Sequence, residues 1–229
     1  MRKQSKRYSE NSQKIEPAKI YSPQEALDFL SGMKRVKFDE TVELACHLGV
    51  DTSKGEQTVR GTAVLPHGTG KKATVLALVD ETEAEEAKSA GADFVGLAEY
   101  ITKISEGWTG FDVAITTPKH LKDVARLGKI LGPRGLMPSP KNGTVTTTVG
   151  QTVKELKAGR VEFRMDKGGN LHLPIGKVSF SKEALQENLK SALDAIMASQ
   201  PPAVKGQFIK SIHLTTTMGP GLQIKNESE

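Results

Sequence analysis

Three stretches of the chain, at residues 34–38, 160–177 and 215–219, could contact a polyanion: the first two are rich in basic side chains, and the third places threonine hydroxyls close to a glycine. A hydroxyl both donates and accepts, so a threonine can bond a ribose 2′-OH or a phosphate oxygen. A glycine lets another backbone approach closely, and exposed apolar side chains can pack on a ribose or a base. These stretches therefore favour contact with a nucleic acid, although ordinary strand propensity is an equally simple reason for the threonines. The residues concerned are Lys34, Arg35, Lys37, Phe38, Arg160, Arg164, Lys167, His172, Lys177, Thr215, Thr216, Thr217, Met218 and Gly219.

The sequence lacks the motifs of the common enzyme classes. Residues 67–72 (His-Gly-Thr-Gly-Lys-Lys) have the composition of a phosphate-binding loop, but Leu65 stands where its first glycine is needed and Lys72 where Ser or Thr is needed. No Gly-x-Gly-x-x-Gly follows the first strand of the parallel region, and the five histidines are not spaced as metal ligands. We therefore expect no catalytic residue, no metal and no cofactor.

Two other classes of protein stay open at this point. A small-molecule enzyme could use the central part of the chain, but it would need titratable groups that converge on a concave site. A DNA-binding regulator could use the helix predicted at 181–199, where Lys182 and Lys190 are scattered among acidic residues.

The composition adds a weak argument for a polyanionic partner. The 229 residues hold 32 Lys and Arg against 27 Asp and Glu, a formal net charge of +5. Residues 1–20 are basic without an apolar period, which predicts a mobile tail that could lie on phosphate or simply be solvated. Cys46 is the only cysteine; it allows no internal disulfide, and its alternating apolar neighbours predict a buried thiol. No stretch reaches the roughly 18 apolar residues of a membrane span, so we expect a cytoplasmic protein without a membrane partner.

Both ends of the chain predict strands with one buried and one open face, together with two helices. Ser22 and Glu25 form a capping box that starts a helix ending near Gly32. A second helix begins at Ser181 and carries one apolar face to residue 199. The turn at 166–170 predicts that the strands on either side of it pair as a hairpin. The predicted strands are 41–50, 58–65, 160–165, 171–174 and 208–216.

The middle of the chain predicts strands that alternate with helices. Residues 73–79 are almost continuously apolar, which is typical of a strand buried on both faces. A helix capped by Thr82 and Glu85 follows. This alternation predicts β-α-β units in a parallel sheet. The remaining predicted elements are strands at 94–97, 111–115 and 144–149 and helices at 99–106, 117–132 and 152–158.

The expected fold class is α/β and α+β in two domains. A discontinuous α+β domain, residues 1–66 and 160–229, is expected to hold an antiparallel sheet with two helices. An inserted, Rossmann-like α/β domain, residues 67–159, is expected to hold the parallel sheet. Neither end segment has enough elements to close a core alone, so the two ends must fold together.

Five separated segments resemble bacterial members of the ribosomal protein L1 family. They are 37–43 (Lys-Phe-Asp-Glu-Thr-Val-Glu), 60–68 (Arg-Gly-Thr, then Leu-Pro-His-Gly), 132–138 (Gly-Pro-Arg-Gly-Leu-Met-Pro), 159–164 (Gly-Arg-Val-Glu-Phe-Arg) and 215–220 (Thr-Thr-Thr-Met-Gly-Pro). The resemblance runs in order through the chain and leaves out only the residues before Lys19. It implies the split two-domain fold and a protein that is not an enzyme.

The resemblance also implies partners and contact residues. The discontinuous domain would bind a folded segment of large-subunit rRNA at the mobile stalk, among other large-subunit components, and the inserted domain could face the outgoing exit-site tRNA. The protein would repress translation of its own operon by binding its mRNA, and it would be ribosome-associated and monomeric when free. The RNA-contacting positions implied by the matching motifs are Phe38, Thr217, Met218 and Gly219, together with Lys37, Glu43, Arg164, Asp166, His172, Lys177, Ser211 and Thr215.

Overall fold

The computed structural model describes residues 5–16, 19–52, 57–204 and 206–225. The chain divides into two compact units, an outer unit of Met1–Gly70 with Val161–Glu229 and a central unit of Lys71–Arg160. The helices are α1 (Lys6–Gln13), α2 (Pro23–Gly32), α3 (Glu81–Ser89), α4 (Ala98–Ser105), α5 (Leu121–Ala125), α6 (Gly128–Leu131), α7 (Val149–Ala158) and α8 (Lys182–Ala198). The strands are β1 (Thr41–Leu48), β2 (Arg60–Val64), β3 (Val75–Leu78), β4 (Phe94–Val95), β5 (Val113–Thr116), β6 (Arg160–Arg164), β7 (Asn170–Lys177), β8 (Ile209–Thr216) and β9 (Leu222–Ile224).

A four-stranded antiparallel sheet, in the order β7-β1-β8-β9, forms the centre of the outer unit. Along β1 the residues Val42, Leu44, Cys46 and Leu48 are buried, and those between them are partly exposed. The buried side chains of the sheet pack with the apolar residues of α2 and α8 in one core. The expected α+β fold of an antiparallel sheet with two helices is therefore confirmed.

Both packing helices begin where their capping residues predict. The Ser22 hydroxyl accepts from the Glu25 N–H (3.2 Å), and the Glu25 carboxylate accepts from the Ser22 N–H (3.0 Å), which completes the capping box. The Ser181 hydroxyl accepts from the Ala184 N–H (3.2 Å) at the start of α8. None of the described helices is both long and apolar enough to cross a bilayer. The face that α8 buries holds Leu185, Asn188, Leu189, Ala192, Leu193 and Ile196.

The predicted hairpin of β6 and β7 is wrong. β6 pairs with β2 in a separate two-stranded sheet, and β7 pairs with β1. The turn between them is nevertheless tight, because Asp166 Oδ1 accepts from the N–H groups of Gly168 and Asn170, both at 2.8 Å. The Phe163 ring lies over Gly61 of β2, where an added Cβ would come within 2.9 Å of it. This long-range packing selects the partner of β6, and a local turn signal does not reveal it.

The basic N-terminal segment is not a mobile tail where it is described. Residues 6–13 form α1, capped by the Ser5 hydroxyl, which accepts from the Tyr8 N–H (3.2 Å). Asn11 is fully buried; its Nδ2 donates to Lys34 O (3.1 Å) and its Oδ1 accepts from the Lys34 N–H (3.2 Å). Such a polar anchor needs no apolar period, and so the hydrophobic pattern missed it. Residues 1–4 and 17–18 of the predicted tail lie outside the described residues.

The central unit is built on a three-stranded parallel sheet in the order β4-β3-β5. Val75, Ala77 and Val79 face one core with α3 and α7. Leu76 and Leu78 face a second core with α4, α5 and α6. The apolar run of β3 is continuous because both of its faces are covered. The predicted α/β fold with a parallel sheet is therefore confirmed.

Three local predictions in the central unit are wrong. The helix α3 starts directly after Asp80, so Thr82 lies inside it and forms no capping box with Glu85. The helix predicted at 117–132 is divided into a 3-10 turn, α5 and α6. Residues 144–149 contribute one isolated bridge to the end of β5 instead of a strand. In the outer unit, β9 is an unpredicted strand that pairs with β8.

Candidate nucleic-acid interface

The partly exposed face of the outer-unit sheet collects polar side chains from four strands. The register places Glu43 of β1 beside Thr215 of β8, and His47 of β1 beside Ser211 of β8. Paired residues in an antiparallel sheet have Cβ atoms about 4.5–5.5 Å apart, so residues remote in sequence form one continuous surface. We call this surface the open face; it comprises Thr41, Glu43, Ala45, His47, Asn170, His172, Pro174, Lys177, Ser211, His213, Thr215 and Gln223.

Strand pairing brings several of the predicted RNA-contacting residues together on the open face. Thr41 and Lys177 are paired across β1 and β7, and Lys177 Nζ donates to Thr41 Oγ1 (2.9 Å), which holds the lysine side chain on that face. His213 was missed, although the alternation of β8 places it between Ser211 and Thr215 on the same side. The predicted residues found on the open face are Glu43, His172, Lys177, Ser211 and Thr215.

Two loops at one end of this sheet expose large apolar side chains. Phe38, which precedes β1, is 54% exposed, and Met218, which follows β8, is 49% exposed. Single exposed apolar residues are common on proteins. These two flank a polar surface, however, and both can pack on the face of a base or a ribose. Lys37 is also exposed beside Phe38.

The buried carboxylate of Glu40 joins the two loops. Glu40 is 3% exposed; its Oε1 accepts from the Val36 N–H (3.3 Å) and its Oε2 from the Met218 N–H (3.0 Å). Burial alone would raise the pKa of Glu40, but hydrogen bonds from Thr216 Oγ1 and the two backbone N–H groups, with the charge of Arg7, outweigh it and lower the pKa. Glu40 is therefore ionised at neutral pH and links both loops.

The turn after β8 is fixed by threonine hydroxyls. Thr217 Oγ1 accepts from the Thr41 N–H (3.0 Å), and the Thr217 N–H donates to Thr41 O (3.0 Å). Thr215 Oγ1 donates to Gly219 O (3.2 Å). A Cβ at Gly219 would lie 2.4 Å from Thr216 Oγ1, so close approach is what requires glycine here. The Thr217 hydroxyl keeps an acceptor lone pair for a further partner.

The remaining predicted contacts lie off the open face. Arg164 is exposed at the end of β6, in the two-stranded sheet. Asp166 occupies the β6–β7 turn, where hydrogen bonding, chiefly from the Asn170 N–H, lowers its pKa. Its carboxylate is therefore ionised and partly used within the turn. Asn170 is itself on the open face, so this turn borders that surface.

The segment at 67–72 and the Cys46 thiol are the features that could suggest enzyme chemistry. Asn188 holds the segment that resembles a phosphate loop: its Nδ2 donates to Gly68 O (2.9 Å) and Ile175 O (2.8 Å), and its Oδ1 accepts from the His67 N–H (3.0 Å). Burial raises the pKa of the Cys46 thiol to about 12, so it stays protonated, and the predicted buried thiol is confirmed. Within the described part of the chain, no three potential metal ligands gather at one place.

α8 does not have the surface of a DNA-recognition helix. Its apolar side is packed in the core of the outer unit. Its exposed Lys182 and Lys190 are interspersed with exposed Glu183, Glu187 and Asp194, which would repel phosphate.

The chain is similar over almost its whole length to known proteins. It is 53% identical over 227 residues, 99% of this chain and 98% of the relative, to the Kosmotoga olearia protein named large ribosomal subunit protein uL1. It is 52% identical over 220 residues, 96% of each chain, to the protein of the same name from Chlorobium chlorochromatii. The model of the ribosomal protein L1p/L10e family matches residues 30–220, which include β1, β7, β8 and both loops. The resemblance noted in the sequence is thus confirmed, and the chain belongs to the ribosomal protein L1p/L10e family.

Proposed function

We propose that the outer unit binds a folded segment of large-subunit rRNA through the open face and the loops that carry Phe38 and Met218. As a member of its family, the chain is a structural, non-enzymatic constituent of the large ribosomal subunit. The observation that carries the proposal is that Glu43, Lys177 and Thr215 come from three strands and share one solvent-facing surface. Such a surface suits RNA, which proteins recognise by shape, ribose hydroxyls and unstacked bases.

The side chains divide the work of recognition by their chemistry. The Thr217 hydroxyl can accept from a ribose 2′-OH, and Lys177 can neutralise a phosphate. Glu43 only accepts, so it is assigned to a 2′-OH or a base amino group. Phe38 and Met218 pack on base or ribose faces. The other proposed contacts, on the open face and at its borders, are Lys37, Arg164, Asp166, His172, Ser211, Thr215 and Gly219.

Filter binding of an rRNA fragment from the stalk tests the site. Phe38→Ala is expected to weaken binding roughly fivefold to hundredfold, because stacking contributes about 1–3 kcal/mol per base. Val64→Ala is the matched control, since Val64 is 52% exposed in the same unit but lies on β2. We expect the control to bind like the wild type. Equal affinity of Phe38→Ala and wild type would contradict the proposed site.

The same assay separates RNA from DNA as the partner. A fragment with deoxyribose in place of ribose loses the 2′-OH groups that the Thr217 and Glu43 side chains are proposed to bond. We expect clearly weaker binding of that fragment at equal salt. Equal binding of both fragments would contradict recognition of the ribose 2′-OH groups by Thr217 and Glu43.

We further propose that the open face binds an rRNA-like site on the mRNA of the protein's own operon, and so represses its translation. If both RNAs use this surface, only one can be held at a time, so rRNA displaces mRNA when it binds more tightly. Free protein then represses only when the rRNA sites are filled. A competition assay with both RNAs tests this, and an mRNA affinity equal to that of rRNA would count against it.

We also propose that the central unit faces the exit-site tRNA and assists its release. The support is that none of the proposed rRNA contacts lies in residues 71–160, which leaves that unit available for a second partner. Ribosomes whose chain lacks the central unit are expected to release deacylated tRNA more slowly. An unchanged release rate would remove this role.

A further inference from the structure

The main chain of Met218 is held by opposite charges at its two ends. Its N–H donates to Glu40 Oε2 (3.0 Å), and its carbonyl oxygen accepts from Arg7 Nη2 (2.8 Å). The other guanidinium nitrogen, Arg7 Nη1, donates to Lys34 O (3.3 Å). One side chain of α1 therefore contacts both the loop that carries Phe38 and the turn that carries Met218.

A separate anchor keeps α1 where Arg7 can make these contacts. Asn11 follows Arg7 by four residues, so both lie on one face of the helix. The buried Asn11 amide bonds the Lys34 backbone in both directions. Breaking this pairing would leave buried polar groups unsatisfied, so it is costly. Lys34 also forms an ion pair with Glu10 on the same helix. The position of α1 is therefore fixed independently of any RNA.

We infer that Arg7 and Glu40 are positioning residues for RNA binding, which hold the Met218 peptide so that Met218 and Gly219 are presented in one fixed conformation. The inference rests on the proposed function of the open face. Glu40 is buried and cannot contact RNA itself. Arg7 suits the task because a guanidinium carries several donors in a rigid fork and can reach two carbonyls at once. α1 thereby belongs to the RNA-binding apparatus through the protein's own loops.

A loose Met218 turn would have to be ordered by the RNA, and that ordering reduces affinity. Arg7→Gln and Glu40→Gln are therefore each expected to weaken binding of the rRNA stalk fragment about fivefold to twentyfold. In the free protein, the Met218 amide is expected to exchange its hydrogen faster in both variants. The effect of Arg7→Gln is expected to shrink in a Met218→Ala background, because both changes act on one turn.

The salt dependence of binding separates positioning from direct contact. A side chain that neutralises one phosphate contributes about 0.7–0.9 to the magnitude of the slope of log affinity against log salt. The slope of Arg7→Gln is expected to equal that of the wild type. Lys6→Ala is the matched control, since it removes one charge from an exposed position of the same helix, and it is expected to bind like the wild type.

Wild-type affinity of Arg7→Gln overturns the inference, and so does a shallower salt slope, which would place Arg7 on a phosphate. Urea denaturation checks that each variant is folded. If Glu40→Gln does not fold, the inference is tested by Arg7→Gln alone, through its RNA affinity, its salt slope and the hydrogen exchange of its Met218 amide. If Phe38→Ala binds the rRNA fragment weakly while Arg7→Gln binds it with wild-type affinity, this inference alone is overturned. A wild-type protein that does not bind the fragment overturns the proposed function and this inference together.

Discussion

The Thr217 hydroxyl serves the fold as well as the proposed ligand. It accepts from the Thr41 N–H (3.0 Å), so its loss removes a bond in the free protein too. Thr217→Val keeps the shape and is expected to cost roughly 1–3 kcal/mol of rRNA-fragment binding. Thr217→Ser keeps the hydroxyl and should bind nearly as wild type does. Filter binding measures the affinity, and a valine variant with wild-type affinity would remove Thr217 from the site.

The Glu40 carboxylate makes the stability of the outer unit depend on pH. Burial opposes its ionisation, but the hydrogen bonds it accepts lower its pKa below the ordinary value of 4.5. Ionised Glu40 therefore adds stability above that value, and the contribution is lost as pH falls through the folded-state pKa. The difference in free energy of unfolding between wild type and Glu40→Gln, from urea denaturation, is expected to be larger near pH 7 than near pH 3. A difference that does not change with pH would contradict this.

At the residue scale, the sequence predicts which side chains lie on a surface better than it predicts which side chains hold the loops in place. Alternation along β1 and β8 is enough to place Glu43 and Thr215 on the partly exposed face of the sheet. Glu40 and Arg7 could not be found in this way, because each bonds the main chain of Met218, which is distant from both in sequence. Arg7 and Met218, for example, are 211 residues apart. Only the folded chain shows which side chains fix the loops.

At the scale of elements, two helix starts give a direct comparison. Ser22 caps α2 in a complete capping box, whereas Thr82 lies within the first turn of α3. Ser22→Ala is expected to lower the free energy of unfolding by about 1 kcal/mol. Thr82→Ala is expected to change it by less than about 0.5 kcal/mol, because alanine is the better helix former and no cap is lost. Urea denaturation of both variants measures these changes. A loss of unfolding free energy above about 0.5 kcal/mol in Thr82→Ala would indicate that Thr82 does cap the helix.

Strand faces were predictable, whereas strand partners were not. The alternating burial of β1 and β8 follows from local periodicity alone. The pairing of β6 with β2 depends on the Phe163 ring over Gly61, two residues that local patterns do not connect. β9 has only Leu222–Ile224, which is too short a run to show alternation. Errors in the predicted elements therefore lie where tertiary contacts choose among locally acceptable pairings.

At the scale of the whole molecule, the two units have separate cores. The outer core draws its buried residues from both ends of the chain, between Tyr21 and Ile224, and none of them lies in 71–160. The two cores of the central unit draw only on residues within that span. The composition of the sequence, with its change from alternating to continuous apolar runs, is enough to suggest this division. Each unit therefore has the buried apolar surface that an independent fold requires.

This separation predicts that RNA binding survives loss of the central unit. A chain in which residues 71–160 are replaced by a flexible Gly-Ser linker keeps the open face, both loops and α1. We expect it to fold cooperatively and to bind the rRNA fragment within about threefold of the wild-type affinity, because every proposed contact is retained. Phe38→Ala in the shortened chain is the control and should weaken binding as it does in the full chain. If the shortened chain folds but binds at least tenfold more weakly, the central unit contributes to the rRNA site, and the proposed division between rRNA and tRNA partners fails.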